Sequence, residues 1–476
     1  MSRIVARIVT FVILLLLGAV APRASVAQDR LTVVTRDGGP IAGPALRHAI
    51  GFTTATGVPV DVVQRPFSAL YAEVMLGFVT GGPTADVLIF PAAWLPDFAP
   101  YLAPVPPTLV DSALVRGIHP AFRDVLMRWQ GAWKAVTLDG DLHMGAYRRD
   151  LFEDPVLRAA YLAQHREPLE PPQDWAQYAR IATFFQARPE VRYGTLEASA
   201  QGGQRLWYLF SHAAALMADR GSLFFDPVTM RPSIDSPGWE RALQGYLDAV
   251  ATGPDVALAS HDVRRRFAAG DAAMAIDWSD IGLYASDPAL SHVGGRAGFF
   301  VLPGSEAVWD AQAQVWRAQA AYPVPFLAFG GWIAAVPAEA RAPDHAWDYI
   351  RWIADPARAD SDVRSGASGF NAYRMSQLND PDGWRNIIGD ATESYLGVLR
   401  ESLSSPAVTP DLRIPGYPAY MAALDAHLGD VLAGRAGPAQ ALAAAAVEWE
   451  QITDRLGRGA QARNYREAMR LRPETP

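Results

Sequence analysis

The sequence predicts an α/β protein of two lobes, and three observations predict it. Short apolar runs alternate with stretches of helical spacing along the first hundred residues. The 476 residues exceed what one ordinary hydrophobic core encloses. Half of them are hydrophobic, so each lobe can bury a sizeable core of its own. The last hundred residues read as mostly helical.

The elements follow in chain order. Residues 1–27 carry Arg3 and Arg7, then an apolar run over 8–20, then Ser25-Val26-Ala27. That is the pattern of a secretory signal peptide cut after Ala27. The run falls short of the roughly 20 residues that span a bilayer. The chain has no cysteine, so it forms no disulfide and offers no site for a lipoprotein anchor. The expectation is a protein exported to a bacterial periplasm. RLTVVT (30–35) then reads as a buried strand feeding the loop Asp37-Gly38-Gly39-Pro40. PALRHAIGFTTATG reads as a helix with Leu46, Ile50 and Phe52 on one side, closed by Gly57. VPVDVVQR is a strand, FSALYAEVMLGFVTGG a helix closed by Gly81-Gly82, and ADVLIFPAAW a strand running out at Trp94. Such alternation implies a mostly parallel sheet with helices on both faces. Ligands sit at the carboxyl ends of such strands, where Asp37 and Trp94 lie. Further on, Asp174 is an N-cap with Gln177 as reciprocal partner. The strand AAMAIDW ends at Trp278, and FLAFGGWIAAVP contains Gly331 and Trp332.

Charge and motifs exclude several function classes. The formal net charge is −8, and it falls to −11 without Arg3, Arg7 and Arg23. That argues against nucleic acid or an anionic membrane as partner. The one lysine, Lys134, lies in GAWKA, so there is neither a P-loop nor a Ser-x-x-Lys nucleophile. No Gly-x-Ser-x-Gly occurs, and no Gly-x-Gly-x-x-Gly follows a strand. The nine histidines show no metal-ligand spacing, so neither a metal nor a cofactor is expected. His143 reads as packing, and Arg264-Arg265-Arg266 as a solvated helix end.

TLDGDLHMGAYRRDLF (137–152) poses the functional question. Asp139 and Asp141 flank a glycine. They can be a solvated hinge turn, acceptors for a ligand's hydroxyls, or the acid/base pair of a glycosidase. The last needs two carboxyls about 5–9 Å apart across a bond. The neighbouring sequence supplies no aromatic enclosure on both sides, which favours grip over cleavage. Trp94, Trp278 and Trp332 lie at strand ends, where a ring can stack on the C–H face of a sugar or pack in a core.

These pieces fall in the order of a known family. LTVVT…FTTATGVPVDVV, ADVLIFPAAWLPDFAPYLAPV, DGDLHMGAYRRDLF, PPQDWAQYARIATFF, FAAGDAAMAIDWSD, FGGWIAAVP and PAQALAAAAVEWEQI are seven successive matches over some 400 residues. The chain resembles the extracellular solute-binding proteins of ABC importers, the maltose-binding-like group that captures sugars and polyols. The resemblance implies a two-lobed periplasmic-binding-protein fold with hinge-connected mixed sheets and a helical C-terminal region. Lobe one would be 28–139 with 300–365, and lobe two 140–299 with 366–476. It further implies a monomer that captures a sugar or polyol between the lobes, delivers it to ABC permease subunits and performs no chemistry. Asp37, Trp94, Asp139, Asp141, Trp278, Gly331 and Trp332 are the candidate ligand contacts. Asn371 and Arg374, on GFNAYR, join them by their match to the third crossing between lobes. Two other readings stay open: an exported carbohydrate-active enzyme, and a transporter-independent sensor or dehydrogenase partner. The sequence departs from the family pattern at Thr137-Leu138, where a proline is common, and at 304–327, which carries two extra tryptophans.

Overall fold

The structure, a computed structural model, describes residues 30–82, 85–202 and 204–470. The expected signal peptide lies outside the described residues, as does Gly203. Nine strands make the two main sheets: β1 (Leu31–Arg36), β2 (Val60–Arg65), β3 (Val87–Pro91), β4 (Val136–Thr137), β5 (His143–Arg148), β6 (Tyr193–Leu196), β7 (Ala272–Trp278), β8 (Ala297–Phe300) and β9 (Trp332–Ala335). Sheet one runs β2-β1-β3-β9-β4, and sheet two runs β8-β5-β7-β6.

Sheet one begins as the alternation predicts. β1 pairs in parallel with β2 and with β3. The helix Ala42–Thr56 returns the chain from β1 to β2 and ends at Gly57, whose φ of 78° suits a residue without Cβ. Its buried face differs from the expected one. Leu46 and Ile50 are exposed, while Ala45, His48, Ala49 and Phe52 turn inward. The inward stripe is drawn by its partners. Phe52 meets Tyr349 and Trp352 edge-on, and His48 bonds Asp362 at 2.7 Å.

The second half of each sheet departs from the parallel expectation. β9 is antiparallel to both β3 and β4. In sheet two, β5 is antiparallel to β8 and to β7, and only β6–β7 is parallel. The chain passes between the lobes at 138–142, again between β8 and β9, and again near Asn371. A strand entering from the other lobe need not follow the βαβ direction. Asp174 does cap its helix, accepting from Gln177 N at 2.8 Å, but Gln177 Oε1 takes the Gln173 N–H rather than that of Asp174.

One stretch changes lobe relative to the expected boundaries, and another bridges the two lobes. Residues 307–318 form an antiparallel hairpin, Ala307–Asp310 with Val315–Ala318. It lies on lobe two, where Trp309 N donates to Leu216 O at 2.7 Å and Ala218 N to Trp309 O at 3.0 Å. This places the two extra tryptophans. Trp309 is buried against Gly238, and Trp316 is exposed with Arg241 over its ring. The helix Arg458–Ala468 stays on lobe two, where Tyr465 accepts from Phe224 N and Phe225 N, and it also touches lobe one, where Gln130 bonds Asn464 and Gly131 N bonds Glu467.

Candidate functional site

A cleft of about 590 Å³ opens between the lobes. Its lobe-one wall is Arg36, Phe67 and Trp332; its lobe-two wall is Trp207, Arg264, Trp278 and Tyr284; Asp141, Asp280, Phe329 and Asn371 lie where the lobes meet. Strand geometry puts these side chains there. β5 and β7 pair so that His143 lies opposite Trp278, at the hinge end of both strands. Asp141 is thus the last residue but one before β5, and Asp280 the second after β7.

One side chain ties the crossings together. Asn371 Nδ2 donates to Asp141 Oδ1 at 2.8 Å and to Asp139 Oδ1 at 3.4 Å. Its Oδ1 accepts from Ser279 Oγ at 2.7 Å and from Asp280 N at 2.8 Å. Its backbone N–H also donates to Asp139 Oδ1, at 2.5 Å. The first crossing, the end of β7 and the third crossing therefore meet at a single amide.

The floor is crowded with acid. Burial is the main force on Asp139 and pushes its carboxyl up to about 7, against hydrogen bonds from Asn371. Burial, then Asp139 and Asp280, hold Asp141 well above the usual carboxylate range. Burial also lifts Asp277 to about 6 and raises Asp280, with Arg264 opposing in both cases. Arg264 bonds Asp280 at 2.5 Å and Asp277 at 3.3 Å. Burial works against its charge, yet the two carboxylates outweigh that and raise its pKa. No such ion pair reaches Asp141 or Arg36 among the described residues. His143 is buried beneath the floor, bonded to Ser211 at 2.9 Å and edge-on to Trp278, and burial holds it well below its usual range.

Of the nine residues expected at the ligand, the structure puts four on the cleft: Asp141, Trp278, Trp332 and Asn371. Asp139 lies one layer behind, fully buried, with Oδ2 lacking a protein partner. Gly331 supplies backbone rather than contact. Its φ is 100°, and a Cβ there would lie 2.1 Å from Asp139 O. Asp37 is exposed beyond the end of β1, and its neighbour Arg36 faces the cleft instead. Trp94 is buried behind Phe67, stacked on it at 5.5 Å. Arg374 is buried away from the cleft, donating to Leu114 O at 2.8 Å and Ala354 O at 3.5 Å. Sequence reasoning passed over Arg36, Phe67, Trp207, Asp280 and Phe329, and it read Arg264 as solvated, whereas its side chain is 15% exposed. Phe329 has a weak signal of its own. It heads FGG, and its φ of 67°, rare for a bulky residue, turns its ring into the cleft edge-on to Trp207 at 5.0 Å.

The arrangement suits gripping. Carboxyl, amide and guanidinium groups converge on one floor between aromatic rings. Asp139 and Asp141 share one amide and only Asp141 reaches the cleft, so they do not face each other across a scissile bond. Among the described residues, no group of three or more His, Asp or Glu could hold a metal ion.

This fold and cleft define a class of two-lobed binding proteins, and the comparisons agree. Residues 40–359 match the bacterial extracellular solute-binding protein family, and the chain belongs to that family. A solute-binding protein from Agrobacterium radiobacter K84, solved with ribitol, superposes with a TM-score of 0.70 at 23% identity, covering 89% of this chain and 98% of that one. One from Agrobacterium vitis S4 with D-mannitol gives 0.69 at 20% identity, over 90% and 99%. Maltose-bound MalE3 of T. maritima gives 0.69 at 18%, over 89% and 99%. The mannitol-binding protein of Pseudomonas aeruginosa is 26% identical over 261 residues, 54% of this chain. The chain spans about half the length of that curated relative, 52%.

Proposed function

We propose that the protein captures a small sugar or polyol in the interlobe cleft and delivers it unchanged to an ABC permease. One observation carries this: Asp141, Asp280, Asn371 and Arg264 meet on one floor between Trp278 of one lobe and Phe67 and Trp332 of the other. Rings cover the apolar C–H faces of such a ligand, and planar charged groups hold its hydroxyls. The ribitol- and mannitol-bound neighbours and the mannitol-binding relative support the polyol end of the range. Export through the 1–27 leader, action in the periplasm as a monomer, and the absence of turnover belong to the same reading. A melting screen against neutral sugars, polyols and small organic acids tests it. A true ligand at a hundred times its dissociation constant adds about 2.7 kcal/mol of stability. It should come back from long incubation chemically unchanged. Turnover abolished by Asp139→Asn and Asp141→Asn would establish an enzyme instead.

A further inference from the structure

The floor of the cleft is short of positive charge. Asp139, Asp141, Asp277 and Asp280 are all buried there. Among the described residues Arg264 is the one cation bonded to them, and its guanidinium is taken up by Asp277 and Asp280; Arg265 and His261 also line the cleft, but both pair with Asp262 on their own helix. Asp141 is buried, lines the cleft and, among the described residues, has only the neutral amide of Asn371 as hydrogen-bond partner for its carboxyl. A buried carboxylate without a cation is costly. Above it stand the rings of Phe67, Trp207, Trp278, Phe329 and Trp332, each within about 6 Å of another. Aromatic faces carry partial negative charge and attract cations.

Resting on the sugar or polyol reading above, we propose that the ligand is a polyhydroxylated amine, an amino polyol or amino sugar whose ammonium group sits against Asp141. In the empty cleft, a proton on Asp141 stands in for the missing cation; burial and the neighbouring Asp139 and Asp280 favour it there, against Arg264. When the ammonium docks, that proton leaves to solvent and the carboxylate forms an ion pair with the ligand. Arg36, across the cleft without a carboxylate partner among the described residues, offers donors to the hydroxyls.

The test uses two matched pairs: D-glucitol with 1-amino-1-deoxy-D-glucitol, and D-glucose with D-glucosamine. Each is titrated into the whole protein by calorimetry in buffers of different ionisation heat. The amino member of at least one pair should bind more tightly than its hydroxyl partner by about tenfold or more. Its binding should release a proton and should strengthen as pH rises through the range in which Asp141 of the unliganded cleft gives up its proton, up to the pKa of the ligand's own ammonium group. Asp141→Asn should erase the preference and the proton release, while its melting in the absence of ligand shows that it folds. If the hydroxyl members bind as tightly as the amines, the inference is overturned and the polyol reading stands. If none of the four binds, the inference is overturned, and the neutral melting screen decides the broader reading. If simple alkylammonium ions bind as well as the amino polyols, the cation is right and the polyol reading is wrong.

Discussion

Arg264 sits in a run of three arginines, and nothing in the local sequence separates it from Arg265. Arg265 pairs with Asp262 on its own helix and is exposed. Arg264, one residue earlier, turns inward to Asp277 and Asp280, which lie 13 and 16 residues on. What chooses between them is a tertiary neighbour that no helical period reveals. The same holds for Asp37 and Arg36. Position at the end of β1 is readable, but which of two adjacent side chains faces a cleft depends on the wall opposite. Asp141, Trp278, Trp332 and Asn371 were legible because strand ends and the family match marked their places. Removing Arg264 leaves two buried carboxylates unpaired. Arg264→Met should cost about 3–5 kcal/mol of stability at neutral pH, read by urea unfolding. The loss should shrink as pH falls, because protonation then removes the unpaired charge.

At the scale of elements, strands, helix ends and caps were legible because their signals are local. Glycine at Gly57 and Gly81 and the Asp174 cap act where they stand. Sheet direction and the helix face of Ala42–Thr56 were not, since both are set by partners hundreds of residues away. Gly331 shows a local signal with a distant cause: its positive φ and the Asp139 carbonyl both exclude a side chain. Gly331→Ala should therefore destabilise the protein by more than about 2 kcal/mol, whereas Gly39→Ala, with nothing within 4 Å of its Cβ position, should stay within about 0.5 kcal/mol. Thermal unfolding of the two variants side by side checks this. The hairpin 307–318 sits where the helix Gln204–Ala214 ends, and the cleft lies at that helix's start, at Gln204 and Trp207. Eleven residues of helix separate them by about 16 Å. Trp316→Ser should accordingly leave ligand affinity unchanged within about twofold, measured by calorimetry.

The whole molecule is acidic and keeps an excess of buried carboxyls at its hinge. Asp139 has its folded pKa raised to about 7, above the ordinary carboxylate value. The folded state then binds more protons than the unfolded chain between about pH 4 and 7, so this group's contribution to stability is lost as pH rises through about 7. Melting temperature should fall between about pH 4 and 7, and Asp139→Asn should flatten that fall.

The central claim is that a hydroxylated ligand is held in this cleft by the Asp141 floor and by the lobe-one aromatic wall. The most direct measurement is calorimetric titration of the strongest-binding sugar or polyol, amino derivatives included, into wild type, Asp141→Ala and Trp332→Ala. The account predicts one site per chain and an affinity at least about tenfold weaker in each variant, with about 2 kcal/mol lost at Trp332. Wild-type affinity in both variants would contradict it and place the ligand elsewhere.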